Sequence, residues 1–438
     1  MYVSILGRQA ELSVAELESV FGEKKIELIS NEAAMIDTNQ PPNINILGGS
    51  VKVGRIINEI SFNKDWHKSI KYLIDYYLKK WEKVDYKITL GLSYYGNNQN
   101  ERDIQKIGIL IKQGLKKKNA SLRLIPNKTK ALSSAVSHHN KLGLSSNKVE
   151  LMIIRTKANE IIVAESIGAQ NITAYAKRDQ ERPKRDAFVG MLPPKLAQIM
   201  INLACGQILD NKLISLGAGA TSIDGTLEPE SKKAPEPFPD LERNSAFNGS
   251  APKSKHKNNT VLDPFCGTGV ILQEAALMGF DIIGTDISQK MIDYSEENLR
   301  WLEDKYDRKI NKVLQSGDAT KTRWSKTIDA VVSETYLGQP FSAPPSPTKL
   351  EEVKDNCNRI VTEFLKNLYP QIKFGTPICI AVPAWRDENG ILTHLPLIST
   401  IARLGYKPHE FTNISQNDLL YFRENQTVAR ELLVLTKI

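Results

Sequence analysis

The sequence is poor in the residues that build disulfide scaffolds and metal sites. Its 438 residues include only four cysteines and six histidines. The cysteines lie far apart, with no C-x-x-C pair, at Cys205, Cys266, Cys357 and Cys379. This spacing excludes a disulfide-rich domain and a cysteine zinc site, and it is typical of a reducing compartment. The adjacent pair His138-His139 has no carboxylate or cysteine at ligand spacing, so we expect no metal.

Long apolar runs are lacking as well. The stretch around residues 372–382 is among the longest, and it is too short and too interrupted to span a bilayer. The first thirty residues show no basic segment followed by an apolar block, so no signal peptide is visible. We therefore expect a cytoplasmic protein without a membrane partner. The sequence leaves the oligomeric state open, with a monomer as one option.

The composition indicates a folded protein of more than one domain. Hydrophobic residues make up 41 % and charged residues 25 %, which is the mix of a globular chain. The net charge is +8, but it is unevenly distributed. Residues 1–50 carry a net −4, residues 51–150 carry +12, and the rest of the chain is neutral. All of the excess positive charge therefore belongs to one segment of a hundred residues.

This basic segment predicts a nucleic-acid partner. A concentrated positive face attracts polyanions, and contacts with phosphates release counterions. A membrane surface is a weaker alternative, because the lysines are not interleaved with a wide apolar face. The candidate RNA-binding residues fall within nineteen positions: Lys112, Lys116, Lys117, Lys118, Arg123, Lys128 and Lys130.

Hydrophobic periodicity divides the chain into three predicted domains and one insertion. Residues 1–60 alternate between short strand and helix patterns and predict a small α/β domain. Residues 61–176, which carry most of the basic charge, predict an α+β module. Residues 177–438 read as a repeated βαβ pattern, which builds a mostly parallel sheet covered by helices on both faces. Within this third domain, residues at about 216–259 are rich in Ser, Gly, Pro, Asn and Lys and predict a disordered insertion.

One motif carries most of the functional information. The predicted strand 260–262 is followed by Asp263-Pro264-Phe265-Cys266-Gly267-Thr268-Gly269, which opens directly into a helix. Glycines in such a turn let the backbone approach a ligand at the carboxyl edge of the sheet. The third glycine of a dinucleotide-binding fingerprint is missing, since position 272 is a leucine. A carboxylate before the glycines is suited to a ligand with a positive ammonium group.

The next two strands add two more carboxylates. Asp286 ends the strand that follows, where a carboxylate can hold both hydroxyls of a ribose. Asp318 follows the third strand, where an adenine amino group could be bound. A cationic ligand with ribose and adenine but no phosphates is S-adenosylmethionine, whereas NAD does not fit. The candidate cofactor-binding residues are Asp263, Pro264, Phe265, Cys266, Gly267, Gly269, Asp286, Ile287, Asp318 and Ala319.

These residues also carry a family resemblance. The stretch DPFCGTGVILQEAALMGFDIIGTDIS is similar to motifs I and II of class I S-adenosylmethionine-dependent methyltransferases. Further segments resemble the THUMP-containing tRNA guanine-N2-methyltransferases that modify guanosine 10. They are Gly7-Arg8, Glu11–Ser13, Ala15–Leu17, Arg182-Pro183, Arg185-Asp186, GMLPPKLA at 190–197, Leu420-Tyr421, Val428 and Arg430-Glu431. The resemblance implies a Rossmann-like methyltransferase domain with a seven-stranded sheet, preceded by a THUMP-like RNA-binding domain at 61–176.

The chain departs from this family after the fourth strand of the domain. Enzymes that methylate exocyclic amines usually carry Asp/Asn-Pro-Pro-Tyr there, and this chain has Ser333-Glu334-Thr335-Tyr336. Such a motif needs an acceptor that grips the amino group and a ring that stacks on the extruded base. Tyr336 supplies the ring, and either Ser333 or Glu334 supplies the acceptor. Ser333, Glu334 and Tyr336 are therefore the candidate catalytic residues, and both prolines that would stiffen the loop are missing.

Together these observations predict an RNA methyltransferase that transfers a methyl group from S-adenosylmethionine to the exocyclic N2 of a guanosine in tRNA, most naturally position 10. Two alternatives remain. The first is a DNA methyltransferase acting on adenine N6 or cytosine N4, which shares the same motif logic. The second, prompted by the altered motif, is a non-catalytic RNA-binding protein that keeps the methyltransferase fold.

Overall fold

The structure is a computed structural model that describes residues 1–186, 192–216, 259–339, 341, 343–423 and 426–438. For residues 207–216 it describes the backbone alone. Apart from its two end residues, the insertion predicted at about 216–259 lies outside the described residues. The first two residues of the segment 190–197 also lie outside them.

The first 180 residues form one mixed α/β unit. Its strands are β1 Tyr2–Leu6, β2 Ile26–Leu28, β3 Ala33–Ile36, β4 Ser50–Ile56, β5 Ile88–Tyr95, β6 Leu122–Leu124, β7 Lys148–Arg155 and β8 Ile161–Ala169. Its helices are α1 Ala10–Phe21, α2 Trp66–Lys80, α3 Glu101–Lys117, α4 Ser134–His139 and α5 Ile172–Gln180.

A single sheet runs through this whole unit, in the order β2-β3-β1-β4-β8-β7-β5-β6. Strand β4 pairs antiparallel with β8, from Lys52 opposite Ala169 to Ile56 opposite Ala164. The predicted boundary near residue 60 therefore falls between strands of one continuous sheet, because β4 precedes it and β8 follows it. Backbone hydrogen bonds between β4 and β8 therefore join the small N-terminal segment to the basic module.

Local sequence explains the two long helices of the basic module. In α2, Leu73, Tyr77 and the adjoining Trp81 recur at helical spacing and are buried against the sheet. Helix α3 begins at a capping box in which the Asn100 side chain accepts from the Asp103 backbone and the Asp103 carboxylate accepts from the Asn100 backbone. Helix α3 buries its apolar face against β5 and β6, and α2 packs against α3 and β8, so the lysine-rich faces of both helices point to solvent.

The rest of the chain alternates strands and helices. The helices are α6 Pro194–Leu216, α7 Val270–Leu277, α8 Gln289–Tyr306 and α9 Pro347–Leu368. The strands are β9 Thr260–Asp263, β10 Asp281–Asp286, β11 Lys312–Ser316, β12 Ala330–Glu334, β13 Pro377–Arg386, β14 Leu392–Thr393, β15 Tyr406–Pro408, β16 Leu420–Tyr421 and β17 Val428–Lys437. None of the described helices combines the length and apolarity needed to cross a bilayer.

The second sheet has a main path of seven strands, β11-β10-β9-β12-β13-β17-β15, and two short strands lie off this path, with β14 paired to β13 and β16 paired to β17. Strands β9 to β13 run parallel to one another, and β17 runs antiparallel to β13. One hydrophobic core lies on the α6 and α7 face and a second on the α9 face. The predicted Rossmann-like seven-stranded sheet covered on both faces is confirmed.

The two units are joined through a buried polar contact between α1 and α6. The carboxylate of Glu16 accepts from the backbone nitrogens of Gly48 and Gly49, each at 2.8 Å, and from Asn202 Nδ2 at 2.7 Å. Glu16 is fully buried, and burial raises its pKa to about 7. Because three donors converge on one side chain, this carboxylate fixes the N-terminal unit against the C-terminal domain.

Candidate active site

The predicted site residues meet where the strand order reverses. In the second sheet the chain order changes direction between β9 and β12, and a ligand crevice forms at such a switch point, outside the carboxyl ends of the strands. Four carboxylates lie at these ends. Asp263, Asp286 and Glu334 are the last residues of β9, β10 and β12, and Asp318 follows β11 by two residues. The sequence-predicted cofactor and base-binding residues are thus brought to one edge of one sheet.

Two glycines shape the turn after β9. Gly267 and Gly269 have φ angles of +51° and +81°, in the left-handed region that favours glycine. A Cβ on Gly267 would meet nothing within 4 Å, so the turn presents open backbone there. A Cβ on Gly269 would lie 2.8 Å from Ser295 Oγ, which itself donates to the Gly267 carbonyl at 2.8 Å. Gly269 is therefore required for close packing of the turn on α8, and Gly267 for ligand access.

Asp286 fastens the second strand to this turn. Its Oδ2 accepts from the Gly267 nitrogen at 3.0 Å, and its Oδ1 accepts from the Ser288 nitrogen at 2.9 Å. Each oxygen keeps a second lone pair, so the carboxylate can still accept from two hydroxyls. Burial raises the pKa of Asp286. The next residue, Ile287, is 75 % exposed, a bare apolar surface of the kind that a flat ring would cover.

Asp318 and Ala319 have different surroundings. Asp318 is partly exposed, and its Oδ1 accepts from the backbone nitrogen and hydroxyl of Thr320, which lowers the pKa of the carboxyl. Ala319 is buried against the core on the α9 face, and its carbonyl accepts from Asn367 Nδ2 at 2.9 Å. Asp318 is therefore an ionised, partly exposed acceptor near the end of β11, whereas the Ala319 side chain is part of the hydrophobic core on the α9 face.

Asp263 is buried, and none of the described residues pairs it with a cation. It is 2 % exposed, and its Oδ1 accepts from the Ser333 hydroxyl at 2.6 Å and from the Phe265 nitrogen at 3.3 Å. Burial, together with the charges of Asp286 and Glu334, raises the pKa of Asp263 to about 8. A carboxylate in this position gains from a positively charged ligand, because such a ligand repays the cost of removing the charge from water.

The three residues between Asp263 and the glycines form the body of the turn. Pro264 is buried, and the Phe265 ring packs edge-on against Phe364, with ring centroids 5.2 Å apart. Cys266 is 5 % exposed, its sulfur lies 3.8 Å from Ser295 Oγ, and burial raises its thiol pKa well above the ordinary value. The Cys266 side chain is thus a packed, protonated thiol that supports the shape of the turn.

The last two residues of β12 have side chains on opposite faces of the sheet. Ser333 is fully buried and is committed to Asp263, whereas Glu334 is half-buried and its Oε1 accepts from Arg430 Nε. The Thr335 nitrogen and hydroxyl both donate to the Ala381 carbonyl at 2.9 Å, which holds the loop without the prolines. Tyr336 is 43 % exposed, so its ring is available for a contact.

Sequence reasoning missed the polar residues behind the site. Ser295 and Asn298 are fully buried on the apolar face of α8, and Asn298 Nδ2 donates to the carbonyls of Thr268 and Lys184. The Lys184 nitrogen donates back to Asn298 Oδ1 at 2.9 Å, so the segment before residue 187 is fastened over the glycine turn. Two polar residues in an otherwise apolar helical stripe were the available signal. Arg430 carried a similar signal, an arginine in an apolar strand.

The structure separates the predicted RNA-binding residues. Lys112, Lys116 and Lys117 lie exposed along α3. Lys118 forms an ion pair with Glu82 at 2.7 Å. The other three, which lie elsewhere on the module, are Arg123, Lys128 and Lys130.

Arg123, Lys128 and Lys130 lie at different places in the basic module. Arg123 is exposed on edge strand β6, on the face opposite to Leu122 and Leu124, which pack beneath α2 and α3. Lys130 donates to the Gly96 carbonyl at 2.7 Å and lies 3.7 Å from Glu32, and Lys128 is exposed in the loop before it. The α3 lysines form one surface, which we call the α3 face and define as Lys112, Lys116 and Lys117.

A family model described as "Methyltransferase domain" matches residues 255–401, which contain every predicted cofactor-binding residue. Residues 255–401 form a methyltransferase domain. The strand order, the glycine turn and the strand-end carboxylates of this domain agree with that match. Within the described part of the chain, no group of three or more His, Cys, Asp or Glu side chains is placed to hold a metal ion.

Curated relatives carry the predicted family name. A tRNA (guanine(10)-N2)-dimethyltransferase from Methanothermobacter thermautotrophicus is 32 % identical over 132 residues, covering 30 % of this chain and 35 % of the relative. A probable tRNA (guanine(10)-N2)-dimethyltransferase from Methanothermococcus thermolithotrophicus is 46 % identical over 108 residues, covering 24 % of this chain and 65 % of the relative. The predicted resemblance to tRNA guanine-N2-methyltransferases is thus confirmed over the matched segments, which span only 35 % and 65 % of these relatives' lengths.

One experimental structure aligns along the whole chain. TrmN from Thermus thermophilus covers 100 % of this chain and 99 % of its own, with a TM-score of 0.46 and 12 % sequence identity.

Proposed function

We propose that the protein transfers a methyl group from S-adenosylmethionine to the exocyclic N2 of a guanosine in tRNA, at position 10. The observation that carries this proposal is the 2.6 Å hydrogen bond between Asp263 and Ser333. It joins the turn suited to a cationic, ribose-bearing ligand directly to the loop suited to a base. The names of the curated relatives support the choice of guanosine N2 and of tRNA.

The residues present fit S-adenosylmethionine. Asp263 would face its positively charged end, since this buried carboxylate has no cationic partner in the described part of the chain. Asp286 would hold the two ribose hydroxyls, and Ile287 would cover the adenine, next to Asp318. Gly267 leaves the backbone accessible between them. When bound, the cofactor supplies a methyl group on a positively charged sulfur.

Glu334 is the better candidate for the acceptor that grips the target amine. The Ser333 hydroxyl is fully buried and donates to Asp263, so it has no free proton or exposed lone pair to offer a base. Glu334 is half-buried, and among the described contacts only its Oε1 is engaged. Its Oε2 would accept an N–H of the guanine amine and fix the orientation of N2. Tyr336 would stack on the extruded base.

We propose further that the THUMP-like module at 61–176 grips tRNA with the α3 face. These three lysines are exposed on one helix, and within the described residues none of them forms an ion pair, so they are available for phosphates. Contacts of this kind read shape and charge with little sequence preference. Specificity for one nucleotide would then come from the active-site loop and from the separation between the two sites.

Single-turnover methylation of unmodified tRNA transcripts tests the proposal. Digestion of the product to nucleosides should yield N2-methylguanosine, and a transcript with adenosine in place of guanosine 10 should yield none. Duplex DNA at matched salt is the control substrate. N6-methyladenine or N4-methylcytosine in the DNA would establish the alternative DNA activity, and tRNA binding without methylation would establish the non-catalytic alternative.

A further inference from the structure

Arg430 occupies an unusual position for a charged side chain. It lies in β17, between strands β13 and β16, opposite Pro383 and Tyr421, and it is only 8 % exposed. The following residues, from Leu432 to Leu435, are buried and apolar. A guanidinium removed from water in such a strand requires a partner that carries the opposite charge.

The partner of Arg430 is Glu334, which lies two strands away. Arg430 Nε donates to Glu334 Oε1, and the guanidinium carbon lies 6.0 Å from the centre of the Tyr421 ring. Strand β13 runs between them, with Ala381 opposite Glu334 on one side and Pro383 opposite Arg430 on the other. The small side chain of Ala381, opposite Glu334, leaves room for the two long side chains to meet across the middle strand.

We infer that Arg430 is a positioning residue for methyl transfer, which rests on the proposed function. It holds one carboxylate oxygen of Glu334 and leaves the other, Oε2, for the target amine. Within the described residues Oε2 forms no hydrogen bond. A carboxylate fixed at one oxygen can present its second oxygen in one direction, whereas a free glutamate samples several rotamers.

This arrangement also accounts for the missing prolines. A Pro-Pro pair would fix the loop through its backbone, but here the residues at those positions are Glu334 and Thr335. Thr335 ties the loop backbone to Ala381 through two hydrogen bonds, and Arg430 ties the Glu334 side chain to β17. Strands β13 and β17 thus supply the rigidity that the loop sequence lacks.

A set of variants separates positioning from a purely structural role. Arg430→Met removes the donor, Arg430→Lys keeps the charge without the planar donor group, and Arg403→Met is a matched control at an exposed arginine of the same domain. Each is measured for single-turnover methylation of tRNA, S-adenosylmethionine affinity, tRNA affinity and melting temperature. The double variant Glu334→Gln/Arg430→Met completes a double-mutant cycle.

We expect Arg430→Met to lower the methylation rate by about 100-fold, the loss that a displacement of about 1 Å can cause, while both affinities stay within about twofold. Arg430→Lys should recover part of the rate, because a point charge holds the carboxylate without fixing its plane. The double variant should be no slower than Glu334→Gln alone. Arg403→Met should match the wild type.

Three results would overturn the inference. The first is a full rate in Arg430→Met, and the second is independent, multiplicative losses in the double variant. The third is a fall in melting temperature and in both affinities together with the methylation rate, which identifies a structural role. If Arg430→Met does not fold, Arg430→Lys is judged by the same criteria. If the wild type itself places no methyl on guanosine N2, the proposed function fails and the inference with it, whereas an active wild type confines any failure to Arg430.

Discussion

The buried carboxylate of Asp263 makes cofactor affinity depend on pH in a defined direction. Its pKa is raised to about 8, so in the ligand-free protein the carboxyl is mostly neutral at pH 7. A cationic ligand requires the ionised form, and binding must therefore drive off a proton. For a single group with a pKa of about 8 the dissociation constant should fall by about tenfold between pH 7 and pH 9, and then level off.

Isothermal titration of S-adenosylmethionine across this range, in buffers of different ionisation enthalpy, measures both the affinity and the proton release. The ligand's own amine also titrates near this pH, since α-amino groups have pKa values of about 8. Asp263→Asn is therefore the control, because the part of the slope that it abolishes belongs to the carboxyl. A slope that is unchanged in the folded Asp263→Asn protein would refute the reasoning.

The raised pKa of Asp263 also makes the free energy of unfolding depend on pH, but in the opposite direction. Cofactor affinity should rise with pH, whereas the free energy of unfolding should fall. The folded-state pKa of Asp263 lies above its unfolded value of 3.8, so folding favours the protonated carboxyl. Its contribution to the free energy of unfolding is complete below about pH 4 and is lost as the pH rises through about 8. Bound cofactor should remove this loss, so the stabilisation by ligand should be larger at pH 8 than at pH 6.

Further predictions concern the cofactor, the base and the tRNA. Asp286→Ala should weaken S-adenosylmethionine binding by about 1–3 kcal/mol, because two hydroxyls lose a charged acceptor, and should leave tRNA binding unchanged by filter assay; equal loss of both would mark Asp286 as structural. Tyr336→Ala should abolish most turnover with cofactor affinity retained, since stacking contributes about 1–3 kcal/mol per base, and Tyr336→Phe should stay active; full turnover in Tyr336→Ala would exclude stacking. Replacing Lys112, Lys116 and Lys117 with Ala should reduce the slope of log K against log salt by about 0.7–0.9 per lost phosphate contact, and an unchanged slope would place the RNA elsewhere.

The parts of the fold that were predictable from sequence are those fixed by local pattern. Helix α2 follows from the spacing of its buried aromatic and aliphatic residues, and the glycine turn after Asp263 follows from residues adjacent in the chain. The pairs that decide chemistry are not local. Glu334 and Arg430 are 96 residues apart and meet only because β12, β13 and β17 adopt one register.

The charge pattern of the sequence located the basic segment, but it did not show which of its side chains form ion pairs or share one face. Seven basic residues within nineteen positions predicted one surface, but Lys118 is engaged with Glu82 and Arg123 points to the other face of the sheet. Pairing depends on residues from distant segments, such as Glu32 near Lys130, that no local count includes. The sequence likewise left both Ser333 and Glu334 open as the acceptor, and it could not show that the Ser333 hydroxyl is already hydrogen-bonded to Asp263.

The pairing of β4 with β8 has a mechanical consequence for substrate choice. Because one sheet carries both the N-terminal segment and the basic module, and Glu16 fastens that segment to α6, the α3 face and the methyltransferase site stand a set distance apart. For the proposed tRNA substrate, this fixed separation selects nucleotides at one distance from the part of the RNA that the α3 face binds. An L-shaped RNA bound at the α3 face can present only those nucleotides that reach the methyltransferase site. A shortened or lengthened acceptor stem should therefore change which guanosine is methylated.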